Sequence, residues 1–406
     1  MINQRRVLLC CEHYPPSVGG VQEVMRQIAE RLVRKGISVT VATSMHQDRS
    51  VVEKLNGVDV ISFEIMGNMV HGIKGDLSKY HALLTSSVFD AVLIKAAQQW
   101  TFDGALAVLD KVNCKKVFIP CGFSCLNRVE YKHYYQSMPE WLRMFDELIF
   151  YSQDYQDISF ARHHDFKTIN IIPNGVDERE FEDLNDHSIR TDFGISPKTC
   201  VILSVGSRIV AKGHWDALKA YGRANLNNRS VLIINSNTPS GDVSANLKRQ
   251  LKTILSGKLP LEVAAWLFNL RNSKKKVVIT DLPRDKVIDL YKTAQLFLFA
   301  SHTEYSPLVL LEACAAGTPF ISRDVGNAKY IASITGGGTV PVSMGNGRRS
   351  QETIMLKTAL EHSLSDLDYL KVVGLKARRI VFDRGFTWDA IVERYEDVLF
   401  ASRSQK

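Results

Sequence analysis

Glu304 and Glu312 stand eight residues apart in the stretch Ser301-His302-Thr303-Glu304-Tyr305-Ser306-Pro307-Leu308-Val309-Leu310-Leu311-Glu312. Ser306 followed by Pro307 reads as a helix N-cap and first helical position, which puts Glu304 in the loop before a helix and Glu312 inside it. Leu308, Val309, Leu310, Leu311, Ala313 and Cys314 surround Glu312, and a carboxylate buried among such side chains requires a partner. The amides of Leu308 and Val309 fall at the helix start, where unpaired N–H groups and the helix dipole favour an anion such as phosphate. Two carboxylates also invite glycoside hydrolysis, which needs about 5 to 9.5 Å between them. Eight residues along one helix span about 12 Å, so the pair more naturally reaches different parts of one extended ligand.

A second cluster is Gly206-Ser207-Arg208-Ile209-Val210-Ala211-Lys212-Gly213, two cations between glycines just after the apolar run Val201 to Val205. Arginine offers a bidentate fork and lysine a point charge, a pairing suited to a diphosphate. Neither this loop nor Gly19-Gly20 has the spacing of a dinucleotide fingerprint or a Walker loop. The seven cysteines, at 10, 11, 114, 121, 125, 200 and 314, are odd in number and show no CxxC pair. Neither a disulfide framework nor a zinc site is expected, and a reducing cytoplasm is the expected compartment.

These residues need elements to position them. Val7 to Cys11 is a short apolar run, followed by Pro15-Pro16, Gly19-Gly20 and then Val21, Val24, Met25, Ile28 and Leu32 at helical spacing. Gly36 stops that helix, and Val39 to Thr43 reads as the next strand, giving a βαβ unit and a parallel sheet. The same grammar restarts with a strand at Val201, a loop from Gly206 to Gly213, a helix from His214 to Ala224 and a strand at Val231 to Ile234. Val277 to Thr280, Leu296 to Ala300 and Phe320 to Ser322 extend the second sheet. Two tandem α/β domains follow, with the boundary between about 173 and 198, where Pro173-Asn174-Gly175 leads into a charged, strand-poor stretch. Asn237 to Lys276 is long for a crossover; Leu247, Leu251 and Ile254 keep helical spacing and Leu259 to Leu270 is apolar, so two helices are expected there.

With 406 residues, 45% hydrophobic and 23% charged, the chain is long enough for two cores and has the balance of a folded globular protein. No stretch approaches the roughly 18 apolar residues of a spanning helix, and the N-terminus does not read as a signal peptide. The net charge of +8 is uneven: residues 1–180 hold 20 Lys and Arg against 21 Asp and Glu, residues 181–406 hold 31 against 22. The basic clusters, such as Lys274-Lys275-Lys276, lack interleaved aromatics, which argues against nucleic acid and for a phosphorylated ligand on the second half.

Glu304 and Glu312 with the following Ala313-Cys314-Ala315-Ala316-Gly317-Thr318-Pro319, the Gly206 to Gly213 loop, Pro173-Asn174-Gly175-Val176-Asp177, Gly19-Gly20 before an amphipathic helix and the closing Phe386-Thr387-Trp388 together resemble family 4 (group 1) retaining glycosyltransferases of GT-B fold. The motifs occur in the family's order. The resemblance implies an α/β chain of two Rossmann-like, doubly wound domains facing a cleft: residues 1–180 for the acceptor, 181–385 for the nucleotide sugar, and a C-terminal helix in 386–406 that crosses back to the first domain. It implies that Glu312 holds the donor ribose, Lys212 and Arg208 the diphosphate, the Leu308 and Val309 amides the distal phosphate, and that Glu304 contacts the transferred sugar. Gly19 and Gly20 would let backbone approach the phosphates or the acceptor. No metal and no other cofactor is implied.

Three positions depart from the family pattern. Ser207 stands where its arginine usually follows the glycine, with Arg208 one place later; Cys121 before Gly122 takes the place of a frequent histidine; and Tyr330 lies where a glutamate is common near Gly326. A cysteine cannot supply a histidine's cationic donor, so His13 or Lys132 are the candidates for that role. The expected function is transfer of a hexosyl unit, with retention, from a nucleoside diphosphate sugar (UDP-sugar first, GDP-sugar next) to a sugar or lipid-linked acceptor hydroxyl in bacterial surface polysaccharide or glycolipid assembly. A nucleotide-sugar epimerase and a GT-B-like protein that only binds are the alternatives. Tyr131 to Leu142, aromatic and amphipathic, either packs or touches a lipid acceptor; the expected location is the cytoplasm, with peripheral contact at the inner face of the membrane.

Overall fold

The computed structural model describes residues 4–183, 189–237, 259–341 and 349–401. They fall into two compact units, Met1–Asn174 with Trp388–Lys406, and Gly175–Thr387.

The first unit opens with β1 (Arg6–Cys10), α1 (Gly20–Arg34) and β2 (Ser38–Ser44), and β1 and β2 pair in parallel as the βαβ reading predicts. β3 (Val52–Leu55) and β4 (Val58–Phe63) follow, then a small hairpin of β5 (Met66–Asn68) and β6 (Gly72–Lys74), and then β7 (Ala91–Lys95), β8 (Lys115–Ile119), β9 (Glu147–Phe150) and β10 (Ile169–Ile171). The main sheet has the order β10-β9-β8-β7-β1-β2-β4-β3, parallel except for the edge strand β3. Val7, Leu8, Leu9 and Cys10 are fully buried, as are Ala91 to Ile94, because crossover helices cover both faces of a parallel sheet. α1 buries Val24, Met25, Ile28 and Leu32, the positions set by the 3.6 period. α2 (Lys132–Leu142) buries Tyr134, Tyr135, Met138 and Leu142 in the same core, so the aromatic segment packs. The helix Trp388–Phe400 belongs to this unit: Asp389 accepts from Arg31 at 2.6 Å, and Glu396 pairs with Lys35 at 3.1 Å.

The second unit has a parallel sheet of β11 (Cys200–Val205), β12 (Ser230–Asn235), β13 (Lys275–Thr280), β14 (Leu296–Phe299), β15 (Phe320–Ser322) and β16 (Gly338–Thr339), in the order β13-β12-β11-β14-β15-β16. Its helices include α3 (His214–Arg223), α4 (Leu261–Arg271), α5 (Arg284–Thr293) and α6 (Leu308–Ala315). α4 is the second helix expected in the long 237–276 segment; the first, with Leu247, Leu251 and Ile254, lies outside the described residues. Among the described residues no helix is long and apolar enough to cross a membrane.

Each sheet reverses its order of strand addition once, between β1 and β7 in the first unit and between β11 and β14 in the second. Loops leaving the carboxyl ends of strands at such a reversal diverge to opposite faces and leave a crevice, the usual ligand site of open α/β sheets.

Candidate active site

In the second unit, the loop after β11 carries Arg208 and Lys212 and the loop after β14 carries Glu304, so the reversal brings the two sequence clusters together. Lys212 Nζ donates to Glu304 Oε1 at 2.6 Å, and Ser301 Oγ donates to the same oxygen at 2.8 Å. His302 N donates to Ala211 O at 2.7 Å, which ties the loops through their backbones. Arg208 donates from Nε to Ser236 Oγ and from Nη2 to Ser236 O, both at 3.1 Å, and its third arm meets Glu262 on α4.

Two glycines make this approach possible. Gly213 has φ 69°, and a Cβ there would lie 1.8 Å from Ala300 O. Gly326 has φ 53°, and a Cβ would lie 2.3 Å from Tyr305 O, where Asn327 N donates at 2.8 Å. Both carry a left-handed backbone against a carbonyl, which leaves no room for a side chain.

His214, buried at the start of α3, donates from Nε2 to Gly206 O and Ser207 O at 3.2 Å. Burial drives its pKa down to about 4 against those bonds, helped by the charges of Lys212 and Arg208, so the ring is a neutral strut under the cationic loop. Behind it, Asp216 Oδ2 accepts from His302 at 2.8 Å and from the buried Arg323 at 3.4 Å.

Glu312 is 7% exposed on α6 and has the partner its burial demands: Arg284 Nη2 lies 2.7 Å from Glu312 Oε1. Arg284 also grips Glu180 with two bonds, 3.0 and 2.6 Å. The Glu180-Arg284-Glu312 triad was invisible in the sequence, since no spacing rule links 180, 284 and 312. Glu304 and Glu312 thus sit in separate ion pairs with different cations.

The helix starts one residue later than the Ser306-Pro307 pair predicts. α6 begins at Leu308 with Pro307 as its N-cap, and no side chain caps it; Ser306 Oγ instead accepts from Asn327 Nδ2 at 3.0 Å. Leu308 and Val309 therefore provide the first two amides of the helix, where no intrahelical acceptor exists. The chain's Asp-x-Asp, Asp366-Leu367-Asp368, is a helix start in which Asp366 accepts from Tyr369 N, and no cluster among the described residues has the make-up of a metal site.

The matching reversal of the first unit gathers Glu12 and His13 after β1, Lys95 to Gln99 at and after β7, and Cys121 after β8. Glu12 N donates to Gln99 Oε1 at 3.4 Å. His13 is exposed, yet desolvation and then His46 and Arg49 lower its pKa, so it is neutral near pH 7. Lys132 is exposed in the first turn of α2. Gly19 caps α1 with an extended φ of 167°, open to any residue, and Gly20 is the first helical position. Cys121 is half-buried in the left-handed region, φ 62°, and desolvation raises its thiol pKa. At this reversal the residue that sequence reasoning missed is Lys95. Its side chain is 1% exposed, and Nζ has no hydrogen-bond partner among the described residues, lying 5.3 Å from the Tyr151 ring centroid. Burial lowers its pKa, while Cys121 and Cys11 raise it. The signal was a lysine closing the apolar run Ala91-Val92-Leu93-Ile94.

Two Rossmann-like units with polar loops at both sheet reversals define the GT-B class, and solved structures of that fold superpose over nearly the whole chain. Sucrose-phosphate synthase from Thermosynechococcus elongatus matches with a TM-score of 0.73 at 18% identity, covering 98% of this chain and 100% of that one. WaaG, a glycosyltransferase involved in lipopolysaccharide biosynthesis, matches at 0.66 and 20%, with the same coverage. Residues 185–340 match the family described as glycosyl transferases group 1. A D-inositol 3-phosphate glycosyltransferase of Nocardia farcinica is 27% identical over 239 residues, 57% of this chain and 48% of that protein, so the match spans about half of that relative. An uncharacterised glycosyltransferase of Methanocaldococcus jannaschii is 22% identical over 97% of both chains. The fold is GT-B over the whole chain, and its second unit is similar to the group 1 glycosyl transferases.

Proposed function

We propose that the chain transfers a hexosyl unit, with retention and without a metal, from a nucleoside diphosphate sugar to the hydroxyl of a sugar or lipid-linked acceptor. The observation that carries this reading is the 2.6 Å contact between Lys212 and Glu304 at the strand reversal of the second unit. A cation for the departing diphosphate and a carboxylate for the sugar must be neighbours, because the breaking bond joins those two parts of the donor. Lys212, Arg208 and the Leu308 and Val309 amides take up the charge that develops on the leaving phosphate. Glu312, oriented by Arg284, accepts from the ribose hydroxyls. As the sugar–phosphate oxygen bond breaks, the acceptor hydroxyl attacks the same face and its proton passes to the departing phosphate oxygen. The intact Lys212–Glu304 pair supports catalysis over a protein that only binds.

A UDP-sugar is the favoured donor and a GDP-sugar the next; a structural relative of GT-B fold, Anabaena Alr3699/HepE, is known in complex with UDP and glucose. A cavity of about 900 Å³ in the first unit, at the carboxyl ends of β2 and β4, supports a lipid-linked acceptor. Met45, Val51, Val52 and Met66 give it an apolar wall, and Lys74 and Lys79 stand at its rim. Surface polysaccharide assembly at the inner face of the membrane is the setting that fits such an acceptor.

The glutamates test the reading. Glu312→Gln should weaken free UDP as well as the UDP-sugar, since both carry the ribose. Glu304→Gln should leave UDP binding intact or tighter, because Lys212 loses its internal counter-ion, while turnover falls by about a hundredfold or more. Equal UDP affinity in the wild type and both variants, measured by calorimetry, would overturn the role of Glu312. Turnover should persist in EDTA; loss on chelation with recovery on added manganese would overturn the metal-free reading.

A further inference from the structure

α4 is apolar on two opposite faces, and only one of them is covered by described residues. Leu261 and Ala265 are buried and Phe268 is half-buried against the sheet and α3. Leu259, just before the helix, and Val263, Trp266 and Leu270 follow at steps of four, three and four, so at 100° per residue they line a single face. Their exposures are 52, 41, 60 and 65%. The helix is firmly held: Asn269 exchanges two bonds of 2.8 Å with the backbone of Val277 on β13, and Trp215 Nε1 donates to Leu259 O at 2.7 Å. The stripe is therefore a fixed feature of the surface.

Charge at its end selects the occupant. Arg271 and Lys274 are exposed, and Lys276 Nζ lies 3.3 Å from Asn269 O in the last turn of α4. The carboxylate of Glu262 in the first turn is neutralised by Arg208. An apolar ridge with a tryptophan near its middle and cations beside it suits the boundary between anionic headgroups and acyl chains.

We propose that this face of α4 is a docking surface for an anionic lipid bilayer, with Val263, Trp266 and Leu270 entering the headgroup boundary and Arg271, Lys274 and Lys276 meeting lipid phosphates. It stands apart from the donor assignments, since vesicle binding is read without turnover, and it puts a membrane contact on the second unit, away from the packed aromatic helix α2.

The test is co-sedimentation of the full chain with vesicles of phosphatidylcholine containing about 30% phosphatidylglycerol, against phosphatidylcholine alone. The wild type should bind the anionic vesicles more tightly. Trp266→Ser with Leu270→Ser should lower partitioning about tenfold, and Lys274→Glu with Lys276→Glu should remove the preference for anionic lipid. Both double variants change exposed residues and should keep the wild-type melting temperature and UDP affinity. No binding by the wild type, or unchanged partitioning of the Trp266 and Leu270 variant, overturns the proposal. So does a wild-type dimer that the same variant converts to a monomer, which makes a second copy the occupant. A Trp266→Cys thiol that labels no faster than the buried cysteines also overturns it, because the face is then not open to a bilayer.

Discussion

The two strand reversals use opposite chemistry. In the second unit every cation singled out at the site faces a carboxylate of its own chain: Lys212 faces Glu304, Arg208 faces Glu262, and Arg284 faces Glu180 and Glu312. Left-handed backbone there falls on glycine, at Gly213 and Gly326. In the first unit Lys95 is buried with no acceptor among the described residues, and Ala96, Gln98, Cys121 and Phe123 hold left-handed conformations without being glycine. All seven non-glycine residues of this kind among the described residues lie in the first unit. Under the proposed function, cations that await a diphosphate are kept soluble and ordered by internal counter-ions, which the ligand would displace. The other edge stores strain and an unsatisfied amine, a cost of about 1–3 kcal/mol for each such residue that neighbouring structure must offset.

Acid should separate the two edges most strongly. His214, neutral when folded with a pKa of about 4 against an ordinary 6.5, binds a proton more readily unfolded, so its contribution is present above pH 6.5 and is lost as pH falls toward 4. The loss reaches about 3 kcal/mol. Asp103 in the first unit works in reverse: burial raises its carboxyl to about 6, against the bonds from Met69 N and Tyr134 Oη, so its contribution is lost as pH rises from about 3.8 to 6. Hydrogen exchange, corrected for intrinsic rates, should rise on acidification in residues 206–216 and not in 96–103. His214→Gln should cancel the rise, and equal loosening of both loops would break the contrast.

Next in size is Lys212→Ala, which should weaken UDP by about 1.5 to 3 kcal/mol in calorimetry, the worth of a hydrogen bond to a charged group. The cost should differ when Glu304 is also changed to Gln, since the two side chains interact. Unchanged UDP affinity in Lys212→Ala removes it from the site. The smallest effect belongs to Lys95→Met, a near-isosteric change that relieves the buried amine and should raise stability by about 1 kcal/mol while lowering acceptor turnover and sparing UDP affinity. A gain in stability with full activity would make Lys95 merely a tolerated defect.

Much of this was legible in residue order. The strands at Val7, Val39, Val201, Val231, Val277, Leu296 and Phe320 were readable because buried parallel strands are short apolar runs closed by glycine or polar loops. Lys212, Glu304 and Glu312 could be picked out by their settings. Arg284 could not, because its meaning depends on a tertiary meeting of three segments. Ser306 was misread as a cap since a serine before proline looks the same whether its hydroxyl serves its own helix or, as here, Asn327. Lys95 was hidden by charge itself: a lysine closing a strand reads as its solvated end until burial is measured.

The helix Trp388–Phe400 has a bearing on how the chain is made. During synthesis the first unit starts before the second and is completed after it, because the face of α1 that carries Arg31 and Lys35 waits for Asp389 and Glu396. The nascent first unit must remain unfinished while the residues from Gly175 to Thr387 emerge and build their own sheet. A ribosome stalled between those points would present a complete second unit attached to an unclosed first one, whose bare α1 face is a natural place for a chaperone to hold.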